Sequence, residues 1–261
     1  MPGTGLSKDE RRAVCVAQAF LTPERRPKRW PLELLPFFHP FWVAGPLGKV
    51  AAMHLGEGPA VLLVHGWEGE ISDFSTLIPG LLASGYRVIA MDLPAHGASE
   101  GTMAHIPACA ASVLAVQKAA GRLHAVIGHS VGGTIAAEAA GLGLDASRMV
   151  FLSAAARYAG YAKRFGLQAG LDAREAEEML DALEIMGAKV RSVSLPRLAP
   201  SLRQRALFLH SKDDKIVPPE DGRESAGLWP GARFLEFDGL GHRRILRSPA
   251  VLEALLKFIA E

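Results

Sequence analysis

Short, densely apolar runs recur at wide intervals along this chain, and they restrict its fold more than any other feature. Ala60-Val61-Leu62-Leu63-Val64 is the clearest. Tyr86–Met91, Leu123–Ile127, Met149–Leu152, Ala206–Leu209 and Arg233–Phe237 continue the series. A strand with one wet face alternates apolar and polar residues, so a run without that alternation belongs to a strand covered on both faces. Helical patterns fill the gaps, most plainly Asp73–Ala83, Pro107–Ala120, Val131–Ala140 and Pro249–Ala260. Strand and helix in steady succession predict right-handed crossovers and a mainly parallel sheet with helices on both faces. Ahead of the series, Phe41–Ala44 and Lys49–His54 flank a Gly-Pro-Leu-Gly turn and predict a hairpin. The 261 residues suit one α/β domain, long enough to bury about three quarters of the unfolded chain's surface.

Composition narrows the function classes. Lys plus Arg total 29 against 27 Asp plus Glu, a formal charge of +2, which gives no case for nucleic acid as a partner. The two cysteines, Cys15 and Cys109, are too few for a disulfide framework and read as free thiols in a reducing, cytoplasmic setting. No apolar run approaches the roughly 18 residues that span a bilayer. Ala13–Leu21 follows a mixed-charge stretch and reads as an N-terminal helix rather than a signal peptide. Residues 1–40 form an extension ahead of the main domain, 41–261. Within the extension, Arg25–Pro31 is basic and proline-broken and reads as a solvated loop. Trp30, Phe37, Phe38, Phe41 and Trp42 are expected to pack over the core or the mouth of a site, with a membrane-surface contact as the alternative.

The interval of about 155–201 breaks the rhythm, with helical pattern and no strand. Asp172 and Glu175 are spaced as a capping box, and Ala176, Met179, Leu180, Leu183 and Met186 then share one helical face. The insert is longer than a crossover needs, which favours a lid over ordinary packing on the sheet. The lid's apolar face suggests a substrate with a hydrophobic part.

Five segments carry chemistry. Gly128-His129-Ser130-Val131-Gly132-Gly133 lies between a strand and a helical pattern, the context of a nucleophile elbow. Glycines at 128 and 132 permit the tight turn, which lifts the serine hydroxyl to a helix N-terminus where negative charge is favoured. With this segment the chain resembles the α/β-hydrolase superfamily, over roughly residues 41–261. The resemblance implies that Ser130 is the nucleophile. His65-Gly66-Trp67 follows the strand 60–64 as the superfamily's oxyanion loop does, implying that the amides of Trp67 and Val131 form the oxyanion hole. Asp92-Leu93-Pro94-Ala95-His96-Gly97-Ala98-Ser99 is similar to a structural loop of the family, with Ala95 where glycine is usual; His96 then fixes the loop. His210-Ser211-Lys212-Asp213-Asp214-Lys215-Ile216-Val217-Pro218 resembles the segment bearing the triad acid. Alignment on Val217-Pro218 puts that acid at Asp214, with Asp213 as the competitor and Ser211 replacing the usual glycine. Gly239-Leu240-Gly241-His242 resembles the family's G-x-G-H and makes His242 the general base. The order Ser, Asp, His is that of the α/β hydrolases.

His65, His129 and His210 read as supporting hydrogen-bonders, and His39, His54, His105 and His124 receive no role. Neither clustered cysteines nor H-E-x-x-H is present, so no metal is expected, and no cofactor is needed. The resemblance implies a serine hydrolase acting on a carboxylic ester of a small, partly hydrophobic substrate. The alternatives are a thioesterase, a lysophospholipase or monoacylglycerol lipase, and a ligand-binding protein on the hydrolase fold. A cofactor-free peroxidation side activity is a further reading. Dehalogenases and epoxide hydrolases carry aspartate where Ser130 stands. The partner is a small acyl substrate, with a homodimer as a possible assembly.

Overall fold

The computed structural model describes residues 8–25 and 37–261. The elements, in chain order, are α1 (Lys8–Leu21), β1 (His39–Gly45), β2 (Gly48–Leu55), β3 (Ala60–Val64), α2 (Leu77–Ala83), β4 (Arg87–Met91), α3 (Ile106–Ala120), β5 (Leu123–His129), α4 (Val131–Gly141) and β6 (Ala146–Leu152). After β6 come α5 (Tyr158–Gln168), α6 (Ala173–Ile185), α7 (Leu195–Leu198), β7 (Arg205–Ser211), α8 (Pro219–Leu228), β8 (Arg233–Phe237), α9 (Gly241–Arg244) and α10 (Pro249–Ala260). The strands form one eight-stranded sheet in the order β1-β2-β4-β3-β5-β6-β7-β8. The expected hairpin is the antiparallel pair β1–β2, in which Trp42 lies opposite Ala51. β2 also runs antiparallel to β4, and every pairing from β4 to β8 is parallel.

The unbroken apolar runs have the cause inferred for them, helices on both faces. Leu62 and Val64 of β3 point into one core with Ile89, Val126, Phe151 and Phe208. Val61 and Leu63 point into the other with Val88, Ile127, Val150 and Leu255. All four β3 residues from Val61 to Val64 are fully buried. Each such side chain contributes about 1.5–3 kcal/mol by leaving water.

Strand order positions the site. β3 lies between β4 and β5, so the chain leaves β3 toward one edge of the sheet and returns past it to build the other. At such a switch point the loops leaving two adjacent parallel strands diverge and open a crevice at their carboxyl ends. Here those loops are His65–Glu70 after β3 and Ser130 after β5.

The insert between β6 and β7 is helical, as expected. Asp172 caps α6: its carboxylate accepts the Glu175 amide N–H at 2.8 Å, and Glu175 accepts the Asp172 N–H at 2.8 Å. The apolar face of α6 does not open toward the crevice. Met179 and Leu183 are fully buried in the first core, beside α5 and α1, and Ala176 is fully buried too. This corrects the inference of a hydrophobic substrate from those side chains. An amphipathic face buries itself on whatever apolar surface is nearest, and here α1 supplies that surface with Ala13, Ala17 and Leu21. Arg12 secures the contact through hydrogen bonds to both Glu175 oxygens, at 2.8 and 2.9 Å.

Arg25 donates to the carbonyls of Gly97, Ser99 and Gly101, so at this residue the basic segment holds the loop after β4. Residues 26–31 of that segment, Trp30 included, lie outside the described residues. Of the other aromatics, Phe41 and Phe38 pack against the two cores. Phe37 and Trp42 are mostly exposed, contrary to the expected packing. No described helix is long and apolar enough to cross a membrane.

Candidate active site

Ser130 sits between β5 and α4 with φ +54° and ψ −126°, a region that side-chain-bearing residues rarely occupy. The neighbouring glycines are required by contact. A Cβ on Gly132 would lie 2.3 Å from the Val64 carbonyl oxygen and 2.4 Å from that of His65. One on Gly128 would lie 2.6 Å from the Gly133 nitrogen. The turn therefore presses α4 directly onto the end of β3. It also leaves the Val131 amide in the first turn of α4, where N–H groups have no intrahelical partner.

Three side chains expected from separate segments come together here. His242 Nε2 is 3.0 Å from Ser130 Oγ, and His242 Nδ1 is 2.8 Å from Asp214 Oδ2. A carboxylate can only accept, so Nδ1 carries the proton and Nε2 offers its lone pair to the serine hydroxyl. The Asp214 side chain is fully enclosed. Its Oδ1 accepts the amide N–H groups of Ile216 at 2.9 Å and Val217 at 3.0 Å. Burial alone would raise its pKa. Hydrogen bonds from His210, His242 and the Val217 amide outweigh burial and hold the carboxyl well below the usual carboxylate range.

Asp213 points elsewhere, accepting the Gly241 N–H at 2.9 Å. The serine at 211 has a use that glycine would lack. Its Oγ donates to Asp213 and accepts the N–H groups of Leu240 and Gly241, each at 3.1 Å. Both residues thereby fix the backbone immediately before His242, which lies in the short helix α9 rather than in an open loop.

Three buried histidines organise the surrounding loops. His65 Nε2 accepts the Leu93 N–H at 2.9 Å while Nδ1 donates to the Gly66 carbonyl at 2.7 Å. His96 Nε2 accepts the Glu68 N–H at 3.0 Å while Nδ1 donates to the Pro94 carbonyl at 2.8 Å. The loops after β3 and β4 thus clasp each other reciprocally. His129 Nε2 donates to the His242 carbonyl at 2.9 Å. His65 and His96 each accept an N–H and so must be neutral to play their part. Burial lowers the pKa of His65 to about 4. Burial and a neighbouring histidine, His65 and His242 respectively, lower His96 and His129 to about 3.

Gly66 packs against Ser130, since a Cβ there would lie 3.0 Å from the serine Cβ. Trp67 is therefore carried to the rim beside the hydroxyl. Its ring is held by Phe20 of α1 on one side, with centroids 6.4 Å apart, and by His96 edge-on at 5.2 Å.

Ser130 and His242 open into a cleft of about 860 Å³. Its lining is mixed. Trp67, Ile216 and Leu246 are apolar, whereas Glu68, Asp73, Arg243 and Arg247 are charged. Sequence reasoning did not single out Arg243 and Arg247. Their adjacency to His242 and their spacing of four were the available signal. No group of three or more His, Cys, Asp or Glu residues with metal-site geometry occurs among the described residues.

A serine in a strained turn, backed by histidine and a buried carboxylate at the carboxyl ends of a parallel sheet, defines a class of protein, and comparison with known proteins agrees. The alpha/beta hydrolase family profile matches residues 61–255, and the chain belongs to that family. Among individual proteins, it is 26% identical over 250 residues to the pimeloyl-[acyl-carrier protein] methyl ester esterase of Xanthomonas axonopodis pv. citri, covering 79% of this chain and 97% of the relative. An esterase from Pyrococcus furiosus superposes with a TM-score of 0.71 at 18% identity, over 92% of this chain and 97% of that one. The esterase EaEST from Exiguobacterium antarcticum does so with a TM-score of 0.70 at 18% identity, over 85% and 100%. At those identities the two structures attest the fold.

Proposed function

We propose that this protein is a serine esterase that hydrolyses a carboxylic ester through an acyl-enzyme. The observation that carries the reading is the continuous hydrogen-bonded line from Ser130 Oγ through His242 to Asp214, at 3.0 and 2.8 Å. Ser130 Oγ attacks the ester carbonyl carbon as its proton passes to His242 Nε2. The carbonyl oxygen becomes an oxyanion that accepts from the Trp67 and Val131 amides. Such donors are each worth on the order of 10² to 10³ in rate. His242 then protonates the leaving alcohol, and the ester C–O bond breaks. Water attacks the acyl-enzyme, gives its proton to His242, and the acid departs as Ser130 regains a proton. Asp214 keeps the imidazole in the required tautomer and stabilises its charged form.

The name of the methyl ester esterase relative supports an ester as the bond cleaved. The two free thiols support a reducing, cytoplasmic setting.

Hydrolysis of p-nitrophenyl esters of graded acyl length, with Ser130→Ala beside the wild type, tests this. Ser130→Ala is expected to lose several orders of magnitude. A variant with near wild-type turnover would sink the assignment. Turnover of thioesters in preference to matched oxygen esters would move the activity to a thioesterase. A wild type that neither turns over esters nor takes a fluorophosphonate label at Ser130 would make it a binding protein.

A further inference from the structure

Arg244, in the middle of the segment after His242, is occupied: its guanidinium donates to the Gly239 carbonyl at 2.8 Å and lies 3.7 Å from Asp213. Its neighbours Arg243 and Arg247 differ. Both line the cleft containing Ser130 and His242, and neither guanidinium has a hydrogen bond or ion pair among the described residues. They belong to one continuous helical stretch, α9 running directly into a 3-10 turn at Ile245–Arg247. His242, Arg243, Leu246 and Arg247 follow one another along it. All four side the same cleft.

Two cationic side chains lining one cleft, with no counter-ion among the described residues, favour an anion there. Guanidinium groups present planar forks that match both carboxylate and phosphate oxygens. The cleft is also lined by Glu68 and Asp73, which accept the amide N–H groups of Glu24 and Glu70, each at 3.3 Å. Trp67, Ile216 and Leu246 add apolar surface to the same lining.

We propose that Arg243 and Arg247 form an anion subsite, so that the preferred substrate is an ester bearing a carboxylate or phosphate at the end remote from the scissile bond, joined by an apolar stem. This rests on the esterase reading. The arginines take the anion and the apolar lining takes the stem. A neutral ester uses only the second.

The test compares kcat/KM for methyl esters of equal length whose far end is a methyl, a carboxylate, a phosphate or a trimethylammonium group. Wild type, Arg247→Gln, Arg247→Glu and Arg243→Gln/Arg247→Gln are compared. The wild type is expected to favour the anionic esters over the neutral one by on the order of tenfold or more, falling with added salt. The carboxylate and phosphate arms show which anion is meant. In the double variant the anionic-to-neutral ratio is expected to collapse toward one. Arg247→Glu is expected to invert the preference toward the cationic ester.

Equal wild-type rates on neutral and anionic esters, a wild-type preference for the cationic one, or an unchanged ratio in the double variant would each overturn the subsite. Calorimetric titration with a free dicarboxylate and with inorganic phosphate reads the subsite without turnover. Binding by wild type and its loss in the double variant are expected, and no binding by wild type would overturn the proposal. A chain that binds the anion yet hydrolyses no ester would refute the esterase reading and leave the subsite standing.

Discussion

Two adjacent aspartates follow β7, and their different surroundings allow a sharp prediction. In Asp214→Asn the new side chain is nearly isosteric. Its oxygen can still accept the Ile216 and Val217 amides, so the loop is expected to survive. Its amide nitrogen then faces His242 Nδ1, where a carboxylate oxygen stood 2.8 Å away. A donor at that point forces Nδ1 to become the acceptor and moves the ring proton to Nε2, which can no longer take the proton of Ser130 Oγ. The imidazolium formed in the transition state also loses its counter-charge. The expected loss is about 10³ to 10⁴ in kcat, or about 4–5.5 kcal/mol of transition-state stabilisation.

Asp213→Asn retains an oxygen that can accept the Gly241 N–H, and loses a solvent-exposed contact with Arg244 at 3.7 Å. Its expected loss is no more than about fivefold. Both variants would be assayed on a p-nitrophenyl ester, with circular dichroism to show that they fold. A larger defect in Asp213→Asn than in Asp214→Asn would refute the reasoning and move the acid by one position.

Gly132→Ala drives a Cβ to within 2.3 Å of a carbonyl of β3, so a loss of about 3 kcal/mol or more in urea denaturation is expected. Gly160→Ala in α5 meets nothing within 4 Å and should gain about 0.5–1 kcal/mol; equal stabilities in the two variants would defeat the steric argument. The neutral histidines predict an acid-sensitive fold. His65, His96 and His129 have folded pKa values below the unfolded value of about 6.5, so the unfolded chain binds more protons, and their contribution is complete above that pH and lost as pH falls toward 4 and 3. At pH 5 fully buried His65 should cost about 2 kcal/mol relative to pH 7.5, and a denaturation midpoint flat between those values would contradict it. Phe20→Ala removes one of the two rings that hold Trp67. It should cost about 1–2 kcal/mol of stability and lower kcat on a neutral ester, with Phe20→Leu restoring part of both; unchanged kcat would show that α1 does not steady the loop after β3.

Much of this protein is written in contiguous residues. Val61–Val64 encodes a doubly covered strand because each side chain's face follows from its parity. Asp172 and Glu175 encode the start of α6 because a capping box closes within four residues. Gly128 to Gly132 encodes the elbow because a Cβ at 128 would strike Gly133 and one at 132 the carbonyls of Val64 and His65. The segments of Ser130, Asp214 and His242, which meet at the candidate site, stand out for the same reason: each is short and lies next to a strand end.

Tertiary structure decided which surfaces meet. The apolar face of α6 was evident, but its destination was not, since a helix of that pattern can cover a cleft or a core equally well, and α1 happens to claim it. Ser211 read as a departure and proves to hold the backbone before His242, a contact 30 residues away in the chain. Arg243, Arg244 and Arg247 look alike in sequence. Only the winding of the chain through α9 turns one toward Gly239 and Asp213 and the other two into the cleft. Local spacing sets the conformation of a segment, whereas the partner of a charge or an apolar face depends on segments far away in the chain, and the burial that selects it exists only once they have packed.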